Sequence, residues 1–267
     1  MIYGAIIGDI IGSRFEFKHN LNIHKNFTMF DSKCKVTDDS IMTIAVAKAM
    51  IDSIDIVDED KIKDKLIYYI KLLGKKYPNA GYGSSFKNWL MSNNNMPYNS
   101  YGNGSAMRCS ITGWLYNNLN TTRQRAKNTA EITHNHPEGI KGAEATASAI
   151  FLARNGFNKK EIKDYIQKEF NYNLNRTCNN IKITSNYSNS CQETVPEAII
   201  CFLESLSFED TIRNCVYIGG DTDTLGAIAG SIAEAYYGIP QNIKNISNNY
   251  LDRYLCNLVF EIEYSMI

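Results

Sequence analysis

The sequence predicts an all-α protein folded as one domain over residues 1–267, and three observations carry that expectation. Apolar residues recur at helical spacing through most of the chain, and sustained period-two alternation is nearly absent. Two segments are also filled with Gly and Ala, as in helices whose backbones approach closely. Taken in order, the opening run Gly4-Ala5-Ile6-Ile7-Gly8-Asp9-Ile10-Ile11-Gly12 reads as a first helix. No basic residue precedes it and Asp9 interrupts it, so it is not expected to be a secretory leader. Residues 39–51 are free of Gly and Pro and form an amphipathic helix. Ile62, Leu66, Tyr69, Ile70 and Leu73 repeat the pattern, with Gly74 expected to cap that helix. Further helices are expected at about 105–117, 122–133, 138–155, 159–169, 194–206, 208–217, 223–237 and 247–264. The small-residue helices, Gly142 to Ala149 and Gly226 to Ala233, are expected to be central and buried. The Asn-rich stretch 171–192 is expected to be a long surface loop, with Ile181-Lys182-Ile183-Thr184 its one trace of alternation.

Composition narrows the function. Lys plus Arg and Asp plus Glu are each 28, giving a net charge of zero, so no bulk field attracts nucleic acid or an anionic membrane. The chain is long enough to bury a core without covalent staples. Its seven cysteines are scattered, with no Cys-x-x-Cys pair and no zinc-like Cys/His spacing, which favours a reducing, cytoplasmic setting. No apolar run approaches the roughly 20 residues that span a bilayer. The sequence also lacks a Gly-x-Gly-x-x-Gly loop, a Walker-type loop, a Gly-x-Ser-x-Gly elbow and His-Glu-x-x-His. Its four histidines are His19, His24, His134 and His136.

Oxygen chemistry is what remains. Thr37-Asp38-Asp39-Ser40 leads into the 39–51 helix and Asp221-Thr222-Asp223-Thr224 into the 223–237 helix, so each cluster sits at a predicted helix N-terminus. Helix capping accounts for either cluster alone. Together they ask for more, because each has two near-adjacent carboxylates and a cap needs one oxygen. Crowded carboxylates repel unless a cation or a shared proton intervenes. Hard oxygen ligands suit Mg²⁺, Mn²⁺ or Ca²⁺ rather than zinc. If the clusters meet in space they can hold two ions that activate water.

Five segments together resemble the ADP-ribosylglycohydrolase family. They are Gly4 to Asp9 continuing through Gly12-Ser13-Arg14-Phe15-Glu16-Phe17, the Thr37–Ser40 cluster, Tyr101-Gly102-Asn103-Gly104-Ser105-Ala106-Met107-Arg108, Thr133-His134, and Gly219-Gly220 with the second acidic cluster. They run in the family's order from residue 3 to about 240. The resemblance implies a compact all-α fold around a binuclear Mg²⁺ or Mn²⁺ centre. Its ligands would be Thr37, Asp38, Asp39, Asp221, Asp223 and Thr224, with Asp223 bridging. Glu16 in isolation reads as an exposed helix-end residue. The resemblance places it on a flap over the ions, as acid/base or gate, and makes Asp39 the other group that handles a proton.

Tyr101, Gly102, Asn103, Gly104, Ser105 and Met107 read as a glycine-punctuated turn before a helix, which by resemblance cradles the diphosphate or ribose. Arg108 either pairs with phosphate or ties the loop down. His134 reads alone as a helix-end polar residue, and by resemblance lies near the phosphates. Tyr82, Tyr101 and Phe86 are the aromatics considered for an adenine ring. The implied reaction is hydrolysis at the anomeric carbon of the distal ribose, releasing ADP-ribose from an ADP-ribosylated protein, with arginine the first acceptor and serine the second. The alternatives are a catalytically silent ADP-ribose binder and a hydrolase of a small-molecule or nucleic-acid conjugate, the last disfavoured by the zero net charge.

Overall fold

A computed structural model describes residues 1–18, 23–184 and 188–265; His19 lies outside them. The helices are α1 (Tyr3–Gly12), α2 (Asp38–Ile51), α3 (Glu59–Lys76), α4 (Ser84–Met91), α5 (Gly104–Met107), α6 (Thr112–Leu115), α7 (Leu119–Glu131), α8 (Pro137–Arg154), α9 (Lys159–Phe170), α10 (Cys178–Thr184), α11 (Cys191–Leu203), α12 (Phe208–Ile218), α13 (Thr222–Tyr237), α14 (Gln241–Ser247) and α15 (Arg253–Tyr264). Among the described residues there is no strand, only an isolated bridge between Gly102 and Ser190. The all-α expectation holds, in a single domain. All seven thiols are free. Among the described residues no helix is long and apolar enough to cross a membrane.

Starts of helices are written in side chains. Asp58, Asn118 and Asp252 each accept from first-turn backbone N–H groups, and Asn158 forms a capping box with Glu161. On α3, Ile62, Leu66, Ile70 and Leu73 are buried, and the opposite face is charged.

At the centre α1 and α13 cross antiparallel with their backbones touching, and the small residues of both expected helices, α8 and α13, are buried. Gly4 faces Gly230, Gly8 faces Gly226 and Gly12 faces Thr222. A Cβ at Gly8 would lie 2.0 Å from the Gly226 carbonyl oxygen. Only paired glycines permit this, and the approach decides where Asp9, the next residue, is delivered. Helices α2, α8, α11 and α12 surround the pair, while α3, α7, α9 and α15 lie further out.

Several expected boundaries change. Gly74 does not end α3, which continues to Lys76; a Cβ there would lie 2.6 Å from Leu90 Cδ2, so the missing side chain serves the packing of α4. The helix expected over 105–117 is two short ones, because Arg108 turns inward to the Thr129 carbonyl and Thr112 Oγ1 bonds the Cys109 carbonyl. The helix expected over 247–264 starts only at Arg253, after a 3₁₀ turn at Asn248–Tyr250. The 171–192 stretch is not all loop. It contains α10 and the first residues of α11; residues 185–187 lie outside the described set. Burial of Cys178 and Ile181, three apart, outweighs the Asn-rich composition, and Ile183, 82% exposed, shows that the alternation carried no strand.

Candidate active site

Both acidic clusters sit at helix N-termini, as expected; Asp223 Oδ1 accepts the Thr224 amide (3.0 Å), whereas Asp38, Asp39 and Asp221 are not the caps. In α2 the first-turn amides are already taken: Asp38 N donates to the Ala80 carbonyl (3.0 Å), Asp39 N to Thr37 Oγ1 (3.3 Å) and Ser40 N to Asp9 Oδ2 (3.0 Å). Asp9 also accepts from Thr37 N (3.0 Å), from Thr37 Oγ1 (2.6 Å) and from the Ser40 hydroxyl. It is completely buried and clamps the turn. Asp38 and Asp39 are thereby released from capping. At α13, Asp221 occupies the N-cap position yet its side chain caps nothing; its Oδ2 accepts from Asn103 Nδ2 at 2.7 Å.

The two N-termini converge. Thr224 Oγ1 donates to Asp39 Oδ2 at 3.3 Å, joining residues 185 apart in sequence. Carboxylate oxygens of Asp9, Asp39 and Asp223 lie within 4.8 Å of one another, and so do those of Glu16, Asp221 and Asp223; Asp223 belongs to both groups. Glu16 comes into place because Phe17 N donates to the Gly220 carbonyl (2.8 Å), at a turn where Gly219 and Gly220 take φ of 81° and 86°.

The electrostatics are those of an uncompensated acidic pocket. Burial, then Asp9, Asp221 and Glu16, push the Asp38 carboxyl up to about 7. Burial foremost, with neighbouring carboxylates second, holds Asp39 and Asp223 well above the usual range. Glu16 is raised by burial and Asp221, with Lys35 pulling the other way. No salt bridge reaches any of these groups among the described residues, and the buried Asp39 Oδ1 has no hydrogen-bond partner. A hard divalent cation would satisfy that oxygen and quench the repulsion, so the donor set fits such an ion. The N-terminal ends of two helix dipoles point at the same cluster and favour negative charge there.

Above the carboxylates lies a cleft of about 540 Å³, within the size range of ligand pockets. Of the residues singled out in the sequence, Glu16, Asp38, Asp39, Tyr101, Gly102, Asn103, Gly104, Met107, His134, Asp221, Asp223 and Thr224 line it, as do Phe86 and Arg108. Thr37 and Ser105 do not. Thr37 is buried with its proton committed to Asp9, and Ser105 Oγ turns away to donate to the Gly139 carbonyl at 2.7 Å. Asn103 is a strut as much as a lining residue, donating to Asp221 and to Thr194 Oγ1 (3.1 Å). Of the adenine candidates, Tyr82 does not line the cleft and packs tilted against Phe86, with ring centroids 5.6 Å apart.

Sequence reasoning missed Asp9, Tyr98, Ser84 and Asn189. Asp9 left a signal: a lone carboxylate in an apolar helix requires buried partners. Tyr98 and Ser84 sit in loops or at a helix start with no distinguishing pattern, and Asn189 belongs to the stretch read as loop.

The profile of the ADP-ribosylglycohydrolase family matches residues 1–258, nearly the whole chain. The chain belongs to this family. It is therefore a glycosidic-bond hydrolase by kinship. Relatives of the chain include the ADP-ribosylhydrolase ARH3 of Mus musculus (25% identical, covering 89% of this chain and 83% of that one) and of Homo sapiens (25%, 89% and 84%). The ADP-ribosylarginine hydrolase Tri1 of Pseudomonas putida strain GB-1 is 23% identical, over 89% of this chain and 70% of its own. The fold matches a solved "ADP-ribosylglycohydrolase-related protein complex" with TM-score 0.74 at 18% identity, covering 100% of this chain and 96% of that one.

Proposed function

We propose that the enzyme hydrolyses the bond between ADP-ribose and a protein side chain, arginine first and serine second, at a centre of two Mg²⁺ or Mn²⁺ ions. The observation that carries this is the convergence of two helix N-termini whose carboxylates meet and leave an unpartnered Asp39 oxygen beneath the cleft. Thr37, Asp38, Asp39, Asp221, Asp223 and Thr224 would hold the ions, with Asp223 shared. When bound, such ions acidify water and polarise sugar oxygens.

The chain's own groups do the rest. The Tyr101–Met107 loop and His134 line the same cleft as Glu16 and receive the diphosphate. Arg108 adds a buried positive charge to the lining. Glu16 is half-buried, and burial raises its carboxyl, the direction that favours a group passing a proton. Asp39 is the second proton acceptor. Arginine as first acceptor is in keeping with the likeness to Tri1, an ADP-ribosylarginine hydrolase. A guanidinium also complements a cleft end carrying Glu16 and Asp38.

The deciding assay follows ADP-ribose release from arginine- and serine-modified protein with Mg²⁺, with Mn²⁺ and with EDTA. Release with either ion, faster from arginine and abolished by EDTA, is expected. Equal rates with and without EDTA would sink the metal centre, and faster serine release would reverse the acceptor order.

Acidity and cation binding are linked at this centre. Asp38 has an ordinary value of 3.8 and is raised in the fold to about 7. Its contribution to the metal-free chain is thus complete below about pH 4 and is lost as pH rises through 7. Protons must also leave before a cation enters. The melting temperature of EDTA-treated protein should fall between pH 5.5 and 8, and added Mg²⁺ should raise it by several degrees more at pH 8 than at pH 5.5. A Mg²⁺ effect that is larger at pH 5.5 would contradict the linkage.

A further inference from the structure

His134, which lines the cleft, ends a hydrogen-bond chain whose proton count can be closed. Arg108 is 1% exposed and makes no salt bridge among the described residues. Its Nη2 donates to the Thr129 carbonyl and to Thr133 Oγ1, each at 2.7 Å. Thr133 Oγ1 lies 2.7 Å from His134 Nδ1. A guanidinium only donates, so the Thr133 oxygen accepts there and has one proton left to give. Among the described residues, the acceptor it meets is His134 Nδ1.

We infer that Arg108 and Thr133 are positioning residues that lock His134 as the neutral Nε2–H tautomer, a one-way hydrogen-bond donor turned to the cleft. The opposite tautomer would set the Nδ1 proton against the Thr133 proton, leaving a buried donor without a partner. The imidazolium would do the same and add a second positive charge beside buried Arg108. Burial and Arg108 both favour the neutral ring, in that order.

The ring's outlook completes the argument. His134 lines the cleft, and its Nε2 forms no hydrogen bond with the described residues. It sits against the glycine turn: a Cβ at Gly104 would come within 3.1 Å of Nε2, and one at Gly102 within 3.6 Å. Bare glycines leave space for a ligand oxygen to reach Nε2–H. The main chain fixes the ring from behind, through His134 N to the Ala130 carbonyl (2.7 Å) and Tyr98 N to the Thr133 carbonyl (3.3 Å). Resting on the reading that ADP-ribose occupies this cleft, the donor is matched to one of its diphosphate oxygens. Such an oxygen accepts and never donates, so a fixed donor never mismatches.

The test uses the full chain labelled with ¹⁵N-histidine, the His134 signals being assigned by comparison with His134→Asn. In ligand-free protein at pH 7, Nε2 should show the protonated, pyrrole-type shift and Nδ1 the lone-pair, pyridine-type shift. Thr133→Val should mix the tautomers and weaken ADP-ribose binding in calorimetry about tenfold or more, the worth of one bond to a charged group. Thr133→Ser should restore both readouts, which a purely structural role for the threonine methyl would not. A protonated Nδ1 in the wild type overturns the inference whether or not Thr133→Val folds. So does Thr133→Val binding ADP-ribose as the wild type does with Nε2–H unchanged. Failure of the wild-type chain to bind ADP-ribose would instead remove the substrate reading, and the ligand-free tautomer would still be measured.

Discussion

Gly8→Ala should abolish the fold. The new Cβ would stand 2.0 Å from the Gly226 carbonyl oxygen and 2.1 Å from its carbon, where ordinary van der Waals contact begins at 3.4 Å. Both atoms are main chain, so no rotamer change relieves the clash and the two central helices must separate. Overpacking a side chain against other side chains costs ~1–3 kcal/mol. Backbone against backbone should exceed ~4 kcal/mol, a large share of the ~5–15 kcal/mol that holds a domain together. The variant should appear in the insoluble fraction or melt many degrees lower, as read by circular dichroism. Gly83→Ala is the control: nothing lies within 4 Å of its added Cβ, so the melting temperature should scarcely move. Wild-type stability in Gly8→Ala would show that α1 and α13 do not touch as described.

Asp39→Asn should separate stability from activity. Asp39 is 3% exposed, has one oxygen without a partner, and feels the charges of Asp9, Asp38 and Asp221. The amide is nearly the same size and carries no charge, so the metal-free variant should melt no lower than the wild type. Hydrolysis should nevertheless fall by about 10³-fold or more, since a proton acceptor and a ligand oxygen vanish together. The Mg²⁺-induced rise in melting temperature should shrink as well. A variant that releases ADP-ribose within tenfold of the wild-type rate would remove Asp39 from the chemistry. Gain or neutrality in stability with loss of function is expected wherever repulsion is retained for use.

The fold was legible where one physical demand dominated. The α3 stripe of Ile62, Leu66, Ile70 and Leu73 has no other use than to face a core, and the glycine- and alanine-rich runs of α8 and α13 announced close packing. Reading failed where the same residue answers two demands. Gly74 serves equally well as a left-handed cap or as a gap for Leu90, and only the partner helix decides. In α10, Cys178 and Ile181 are too few to give a period amid asparagines. At the centre, the acidic clusters could be located from sequence, whereas the release of Asp38 and Asp39 from capping could not. That depends on Asp9 and the Ala80 carbonyl, which no spacing connects to α2. Ser105 illustrates the converse: it belongs to the recognisable loop, yet alternation along a short helix turns it to Gly139.

The crossing of α1 with α13 also sets an order of events. Thr222 Oγ1 donates to the Gly12 carbonyl across 210 residues of chain. At roughly 5–20 residues per second of synthesis, the first helix waits roughly ten to forty seconds for the surface it is shaped to meet. Through that interval the glycine face of α1 has no native cover, while the turn at Thr37 can be clamped on Asp9 long before Asp223 exists to stand beside it. The half of the centre made first is a scaffold with a charge to hide, and the chain becomes an enzyme only when its last third arrives.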